Sequence, residues 1–330
     1  MKPVLGILLG EATGIGPEIV AKLCAAKKLD EYCRPVIIGD ARVLALGKRI
    51  AGTDFPVTVV GAVAEADFGG PVCMLDLKNL DPDGLTPGRI DERSGRATGD
   101  TLVTALGLAR SGEIDGFVYA PLNKAALKAG GYKFEDELRL FAHYLGWTEP
   151  CGEMNVLGGL WTSRVTSHIP LDRVGACLSI DGILTAVRLA YNTLRRAGIA
   201  APRIAIAALN PHAGENGLCG RQEIDIISPA IERARREGIG AMGPYPSDTV
   251  FINAFKGDYD AVVTMYHDQG QIALKLMGFE RGVTVAAGLP HAIATPAHGT
   301  AFDIAGRGAA NPGATEQAVS IAARMAAAGQ

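Results

Sequence analysis

An α/β fold built around largely parallel sheet is what this 330-residue sequence predicts, and three observations predict it. Short apolar runs alternate with segments of helical period, the pattern of repeated βα units. With 48% hydrophobic and 20% charged positions the chain can bury a large core and is too long for one small domain, so one or two α/β domains are expected. No repeat, low-complexity tract or obvious linker interrupts it, and no domain boundary is legible from composition.

Taken in order, Val4–Leu9 reads as a strand because it is apolar throughout, and "GEATGIGPEIV" follows it with Gly10, Gly14 and Gly16 and with Pro17 placed for a first helical turn. This is not the G-x-G-x-x-G fingerprint, so the turn serves either tight chain reversal or close approach of a ligand. Pro35–Ile38 is a second strand. Thr98–Arg110 has helical period, and the strand Phe117–Ala120 leads into "YAPLNKAAL", where Asn123 and Lys124 open a helix. They either cap that helix and face solvent or offer an amide and a cation to an anionic substrate. Val156–Leu160 is the next strand, and Gly182–Arg196 the next helix, with Ile183, Leu184, Val187 and Leu194 on one face. Strand Arg203–Ala208, helix Gln222–Arg236 and strand Ala261–Met265 complete the pattern.

The charge balance excludes some functions. A formal net charge of −3 with no long Lys/Arg stripe argues against nucleic-acid binding and points to a small-molecule substrate. No stretch approaches the roughly 18–20 apolar residues of a spanning helix, and "MKPVLGILLGEATG" meets Gly10 and Glu11 too soon for a signal peptide, so no membrane association and a cytoplasmic location are expected. The six cysteines, at 24, 33, 73, 151, 177 and 219, lack C-x-x-C spacing and read as reduced thiols.

The chemistry concentrates in loops after strands, where an open α/β sheet keeps its ligands. His168 in "TSHIPL", His212 in "LNPHAGENG" and His267 in "MYHDQG" each follow an apolar run, whereas His143, His291 and His298 do not share that context. A single histidine is commonly structural. Three at strand ends can converge on one divalent ion, and neutral imidazoles suit zinc, nickel, cobalt or iron better than magnesium. The loop "HGTAFDIAGRGAANP", residues 298 to 312, is dense in His, Gly, Asp and Asn; it can wrap an adenosine, with Asp303 accepting from ribose hydroxyls and repelling the additional phosphate of NADP.

In order along the chain, "GEATGIGPE", "APLNKAAL", "SHIPL", "LNPHAGENG", "MYHDQG", "LKLMGF" and "HGTAFDIAGRG" resemble the 4-hydroxythreonine-4-phosphate dehydrogenase family, over essentially its whole length. "GIGPE" and the 298–312 loop are also similar to the wider isocitrate and isopropylmalate dehydrogenase superfamily. The chain's own pattern is read with the two ends sharing one lobe and the middle forming the other, and the resemblance implies a two-lobed α/β/α fold with mostly parallel sheets. It further implies a homodimer with the active site at the interface and NAD-dependent oxidation of a secondary alcohol, with decarboxylation where the new ketone lies β to a carboxylate. By the same resemblance His168, His212 and His267 bind the divalent metal, His267 coming from the other subunit, with Asp268 orienting it or capping the next helix. Gly299, Asp303 and Asn311 bind NAD, Asn123, Lys124, Glu137 and Thr284 contact substrate, and Lys275 and Asp248 are the candidates for proton transfer.

The sequence also departs from that family. Where a Gly-His-Thr-Glu stretch is usual after the "NKAAL" helix, this chain has "KFEDEL", placing Phe134, Glu135 and Asp136 there and keeping Glu137 alone; Thr284 and Ile293 replace an Asn and an Arg. Losing a bidentate arginine removes charge-assisted bonds worth about 1.5–3 kcal/mol each, and two added acids would repel a phosphate dianion. The expected substrate is therefore a hydroxy acid or cis-diol acid, on the pattern of the terephthalate dihydrodiol dehydrogenases, with "FEDEL" as a plain acidic helix start and a phosphorylated substrate such as 4-hydroxythreonine 4-phosphate or 4-phosphothreonate as the alternative. A metal-dependent hydrolase would leave the 298–312 loop without a role, and a nucleotide-binding regulator would leave the histidines without one.

Overall fold

A computed structural model describes residues 1–278 and 281–328; Phe279, which closes "LKLMGF", lies outside them. The chain divides into two compact units, unit 1 formed by Met1–Thr148 with Leu289–Gln330 and unit 2 by Glu149–Gly288.

In chain order unit 1 begins with β1 (Val4–Leu8), α1 (Gly16–Ala25), α2 (Lys28–Tyr32), β2 (Arg34–Gly39), α3 (Ala41–Ala51), β3 (Val57–Val60), β4 (Val72–Asp76), α4 (Glu92–Ser111), β5 (Gly116–Tyr119), α5 (Lys124–Ala129) and α6 (Glu137–Leu145). Unit 2 follows with β6 (Gly152–Leu157), β7 (Leu160–Arg164), α7 (Val174–Cys177), α8 (Ile180–Arg196), β8 (Ile204–Ala207), α9 (Ser228–Arg236), β9 (Ala241–Tyr245), α10 (Ser247–Phe255), β10 (Ala261–Thr264), α11 (His267–Leu276) and β11 (Val283–Ala287). The chain then returns to unit 1 as β12 (Ala292–Pro296) and α12 (Gly313–Ala327).

Among the described residues, the strands of unit 1 lie in the order β3-β4-β2-β1-β5-β12, every pairing parallel. A parallel sheet is covered on both faces, which is why β1 and β5 are buried at every position and read as unbroken apolar runs. Unit 2 has the order β11-β6-β7-β10-β8-β9; β7, β10, β8 and β9 are parallel, and β6 runs antiparallel to both of its neighbours. Helix starts follow side-chain chemistry: Asp91 accepts from the amides of Arg93 and Ser94 to begin α4, and Ser179 accepts from Gly182 to begin α8. No single described helix is long and apolar enough to cross a membrane.

Two elements differ from the sequence reading. Val156–Leu160 is not one strand but the end of β6, a two-residue turn and the start of β7: Gly158 and Gly159, with φ of 57° and 93°, reverse the chain inside what looks like one apolar run. The predicted helix Gln222–Arg236 opens with a wide π turn over Glu223–Ile227 before α9 begins, where the Glu223 carboxylate is committed to a neighbouring loop.

Candidate functional site

β7, β10 and β8 are consecutive parallel strands, so the segments leaving their carboxyl ends share one edge of the unit 2 sheet. His168 follows β7, His212 follows β8, and His267 is the first residue of α11 after β10. The rings of His168 and His267 stand 5.4 Å apart, centroid to centroid, within one chain. Asp268 Oδ1 lies 2.7 Å from His267 Nδ1, which orients the ring and leaves Nε2 as the nitrogen open to a further partner; Asp268 does not cap α11, whose cap position is Tyr266.

The backbone here is unusual. His168 has φ 50°, and a left-handed run continues from His212 (φ 51°) through Ala213, Gly214 and Glu215 to Asn216 (φ 53°). Left-handed conformation in residues bearing a Cβ is costly and collects at sites where the surroundings enforce it. For His212 the enforcing group is Glu223, a buried carboxylate whose Oε1 accepts from the amides of Leu209 and Asn210 at 2.8 Å each while Oε2 accepts from Asn210 Nδ2 at 2.9 Å. Gln269 does the same for the "YHDQG" turn: its Oε1 accepts from Met265 N, and its Nε2 donates to the Ala208 carbonyl and to Ser247 Oγ, each at 2.7 Å. Sequence reasoning passed over both residues, because their partners, Met265 apart, lie 13 to 61 positions away.

Lys275 is exposed in the last turn of α11, two turns beyond His267, and Asp248 is exposed in the first turn of α10 beside Ser247. Thr284 Oγ1, on β11, accepts from Asn155 Nδ2 at 3.0 Å. Among the described residues no group of three or more His, Cys, Asp or Glu is gathered closely enough to hold a metal, so the three histidines share a sheet edge without closing into one ligand set inside a single chain.

In unit 1 the first loop grips the 298–312 loop. Ile15 N donates to Thr300 O at 3.2 Å; buried Glu18 Oε1 accepts from Ala310 N and from Lys22, both at 2.7 Å; and the Lys22 ammonium also donates to the carbonyls of Gly308 and Ala310. The glycines of "GEATGIG" serve close packing, since a Cβ on Gly10 (φ 68°) would sit 2.5 Å from Ala120 O and one on Gly16 would sit 2.2 Å from Leu9 O. Gly299 and Asp303 are exposed, and Asn311 Oδ1 accepts from Gly313 N at the entry to α12. Asn123 caps α5 through the amides of Ala125 and Ala126, and Lys124 pairs with Glu137 at 3.3 Å. Of the two acids that stand in place of the family's residues, Asp136 caps α6 by accepting from Arg139 N and Glu135 is exposed, while Phe134 packs on His143 and Tyr144. "FEDEL" is a helix start. Ile293 is a fully buried core residue of β12.

Glu11, 0% exposed, sits where the first loop meets the start of α5. Burial raises its pKa above 4.5, opposed by hydrogen bonds from Ser94, Thr13 and the Asn123 amide. Because the folded state holds this proton more tightly than the unfolded chain does, stability conferred by protonated Glu11 is present below about pH 4.5 and is lost as pH rises through the raised value. Glu11→Gln, which is never charged, is expected to flatten that decline; urea midpoints measured from pH 4 to 8 check it, and unchanged pH dependence would count against it.

Imidazoles and polar loops at the carboxyl ends of parallel strands in unit 2, and a separately braced Gly/Asp/Asn loop in unit 1, are the chemistry-bearing features of this α/β chain. The chain belongs to the family described as pyridoxal phosphate biosynthetic protein PdxA, whose model matches residues 31–322. It is 50% identical to a Pseudomonas aeruginosa protein with the provisional name 4-hydroxythreonine-4-phosphate dehydrogenase 2, across 98% of this chain and 97% of that protein. It is 41% identical to the D-threonate 4-phosphate dehydrogenase of Cupriavidus necator, with 98% and 97% covered. A crystal structure of 4-hydroxythreonine-4-phosphate dehydrogenase from Burkholderia phymatum superposes with a TM-score of 0.84 at 38% identity, covering 98% of each chain. A terephthalate 1,2-cis-dihydrodiol dehydrogenase from Burkholderia xenovorans gives 0.68 at 30% identity, over 96% of this chain and 98% of that one.

Proposed function

We propose that this protein is an NAD- and divalent-metal-dependent dehydrogenase that oxidises a secondary hydroxyl of a phosphorylated hydroxy acid of the 4-phosphothreonate or 4-hydroxythreonine 4-phosphate class, with decarboxylation of the β-keto acid formed. The observation that carries the reading is the paired His168 and His267, the latter held by Asp268, at a strand edge shared with the left-handed His212 turn. His168, His212 and His267 would hold the metal, the set being completed between two copies of the chain. Bound there, a zinc, cobalt, nickel or iron ion supplies a Lewis acid that lowers the pKa of the substrate hydroxyl. NAD, seated against Gly299, Asp303 and Asn311, supplies the hydride acceptor.

The chain's own groups do the rest. Lys275 or Asp248, on the helices that Gln269 and Ser247 hold together, would take the hydroxyl proton and later return one to the carbon that loses carbon dioxide. The homodimer accords with α11 itself, the helix that His267 begins, which exposes Ile272 and Leu276, with Leu276 at 82%, and is followed by exposed Met277. The phosphorylated substrate is favoured over the unphosphorylated one because the two acids expected to repel a phosphate are a helix cap and an exposed residue, and because the D-threonate 4-phosphate enzyme is similar along its whole length.

A second reading, an unphosphorylated hydroxy acid or cis-diol acid, is favoured by Thr284 and Ile293 and by the likeness to the dihydrodiol dehydrogenase. NADH formation on 4-phosphothreonate, 4-hydroxythreonine 4-phosphate, threonate and a dihydrodiol acid decides between them: the first reading expects the phosphorylated pair to exceed the others at least tenfold in kcat/KM, and the reverse order overturns it. Asp303 makes a separate expectation. Asp303→Ser should lower the preference for NAD over NADP by roughly tenfold, about 1.4 kcal/mol; equal efficiency with both cofactors in the unaltered protein would remove the acid from this role.

A further inference from the structure

A row of polar side chains crosses the strands of unit 2 where an apolar face would be ordinary. The guanidinium of Arg164, at the carboxyl end of β7 and with only 10% of its side chain exposed, is held on three sides: Nε donates to Ser167 Oγ at 2.9 Å, one terminal nitrogen to Glu153 Oε2 at 2.8 Å, and the other to Asn155 Oδ1 at 3.4 Å. Asn155 is itself buried, 7% exposed; its Oδ1 also accepts from Gln271 Nε2 at 2.6 Å and its Nδ2 donates to Thr284 Oγ1 at 3.0 Å. The two ends of this chain of bonds are informative. Ser167 immediately precedes His168, whose backbone is left-handed, and Gln271 lies one helical turn after His267 on α11. Residues separated by about a hundred positions, on a turn and on a helix, are thus tied through two buried side chains on paired strands, Asn155 standing opposite Thr162 on β7 and opposite Thr284 on β11.

We propose that Arg164 and Asn155 are positioning residues that orient the segments bearing His168 and His267, and so tune the divalent-ion sites those histidines serve in the dimer; this rests on the metal reading of those histidines. A planar guanidinium suits the task because its fork fixes three partners in one plane, which a lysine ammonium does not do. An isolated surface arginine would have no such effect. Groups that orient ligating imidazoles typically change metal affinity by 10- to 100-fold when removed, and the effect here, acting through the neighbours Ser167 and Gln271, is expected at about tenfold.

The test is metal binding rather than turnover. Cobalt(II) is titrated by calorimetry into the apo full-length protein, its Arg164→Met and Asn155→Leu variants, and the conservative Asn155→Asp, which keeps the acceptor for both Arg164 and Gln271; the visible cobalt spectrum and circular dichroism are recorded on the same samples. Expected are a roughly tenfold weaker Kd and a shifted cobalt spectrum for Arg164→Met and Asn155→Leu, with near-normal values for Asn155→Asp. Folded Arg164→Met and Asn155→Leu proteins that bind cobalt as the unaltered protein does, with its spectrum, overturn the proposal while leaving the metal reading intact. Failure of the unaltered protein to bind cobalt overturns the metal reading itself. Should Arg164→Met fail to fold, Ser167→Ala and Gln271→Met sever the two arms separately, and normal cobalt binding by both overturns the proposal equally.

Discussion

Replacing His267 with alanine is expected to lower kcat/KM by about a thousandfold or more, equivalent to about 4 kcal/mol of transition-state stabilisation, with His168→Ala and His212→Ala close behind. His267 is the sharpest case because its imidazole has a dedicated partner, Asp268 at 2.7 Å, and a neighbouring imidazole at 5.4 Å, and because it begins a helix instead of being buried in a core. Asp268→Asn should cost less, roughly 10- to 100-fold, since the ring stays in place while its tautomer and basicity change. Initial rates of NADH formation together with circular dichroism check both. A folded His267→Ala protein with near-normal turnover would remove this residue from the chemistry.

Glu223→Ala is expected to lower folding stability by about 3 kcal/mol or more and to cut activity in the fraction that remains folded. The buried carboxylate serves two partly buried amides and the Asn210 side chain, and a donor of this kind left without an acceptor costs about 1–3 kcal/mol. It also restrains the left-handed turn from His212 to Asn216. Glu223→Gln retains Oε1 for the two amides but sets an amide donor against Asn210 Nδ2, so an intermediate loss is expected. Urea unfolding of the three proteins measures the order; a Glu223→Ala midpoint within error of the parent would show that the turn is held by other contacts.

Much of this was legible in the sequence for a physical reason. Parallel strands covered on both faces must be apolar throughout, so β1, β2, β5, β8 and β10 stood out, and the three histidine motifs stood at their ends or close after them. The β6–β7 hairpin did not, because its turn is only the pair Gly158 and Gly159 inside an apolar run. Asn123 and Asp136 were ambiguous for a deeper reason: the oxygen that caps a helix is the oxygen that would meet a ligand, and only coordinates show Asn123 and Asp136 spent on the amides of α5 and α6. The bracing groups Glu18, Glu223, Gln269, Asn155 and Arg164 escaped because long-range hydrogen bonds leave no local spacing to read. Glu18 with Lys22 came nearest to showing itself, as an i, i+4 pair in "GPEIVAK".

The central claim is that His168, His212 and His267 serve a divalent ion required for dehydrogenation. The most direct measurement is NADH formation from 4-phosphothreonate by protein stripped exhaustively with chelator and then reloaded with zinc, cobalt, nickel, iron(II) or magnesium, with circular dichroism recorded throughout. The account predicts loss of activity with the fold retained and its return with at least one of the imidazole-binding ions. Undiminished activity in metal-free, folded protein would contradict it.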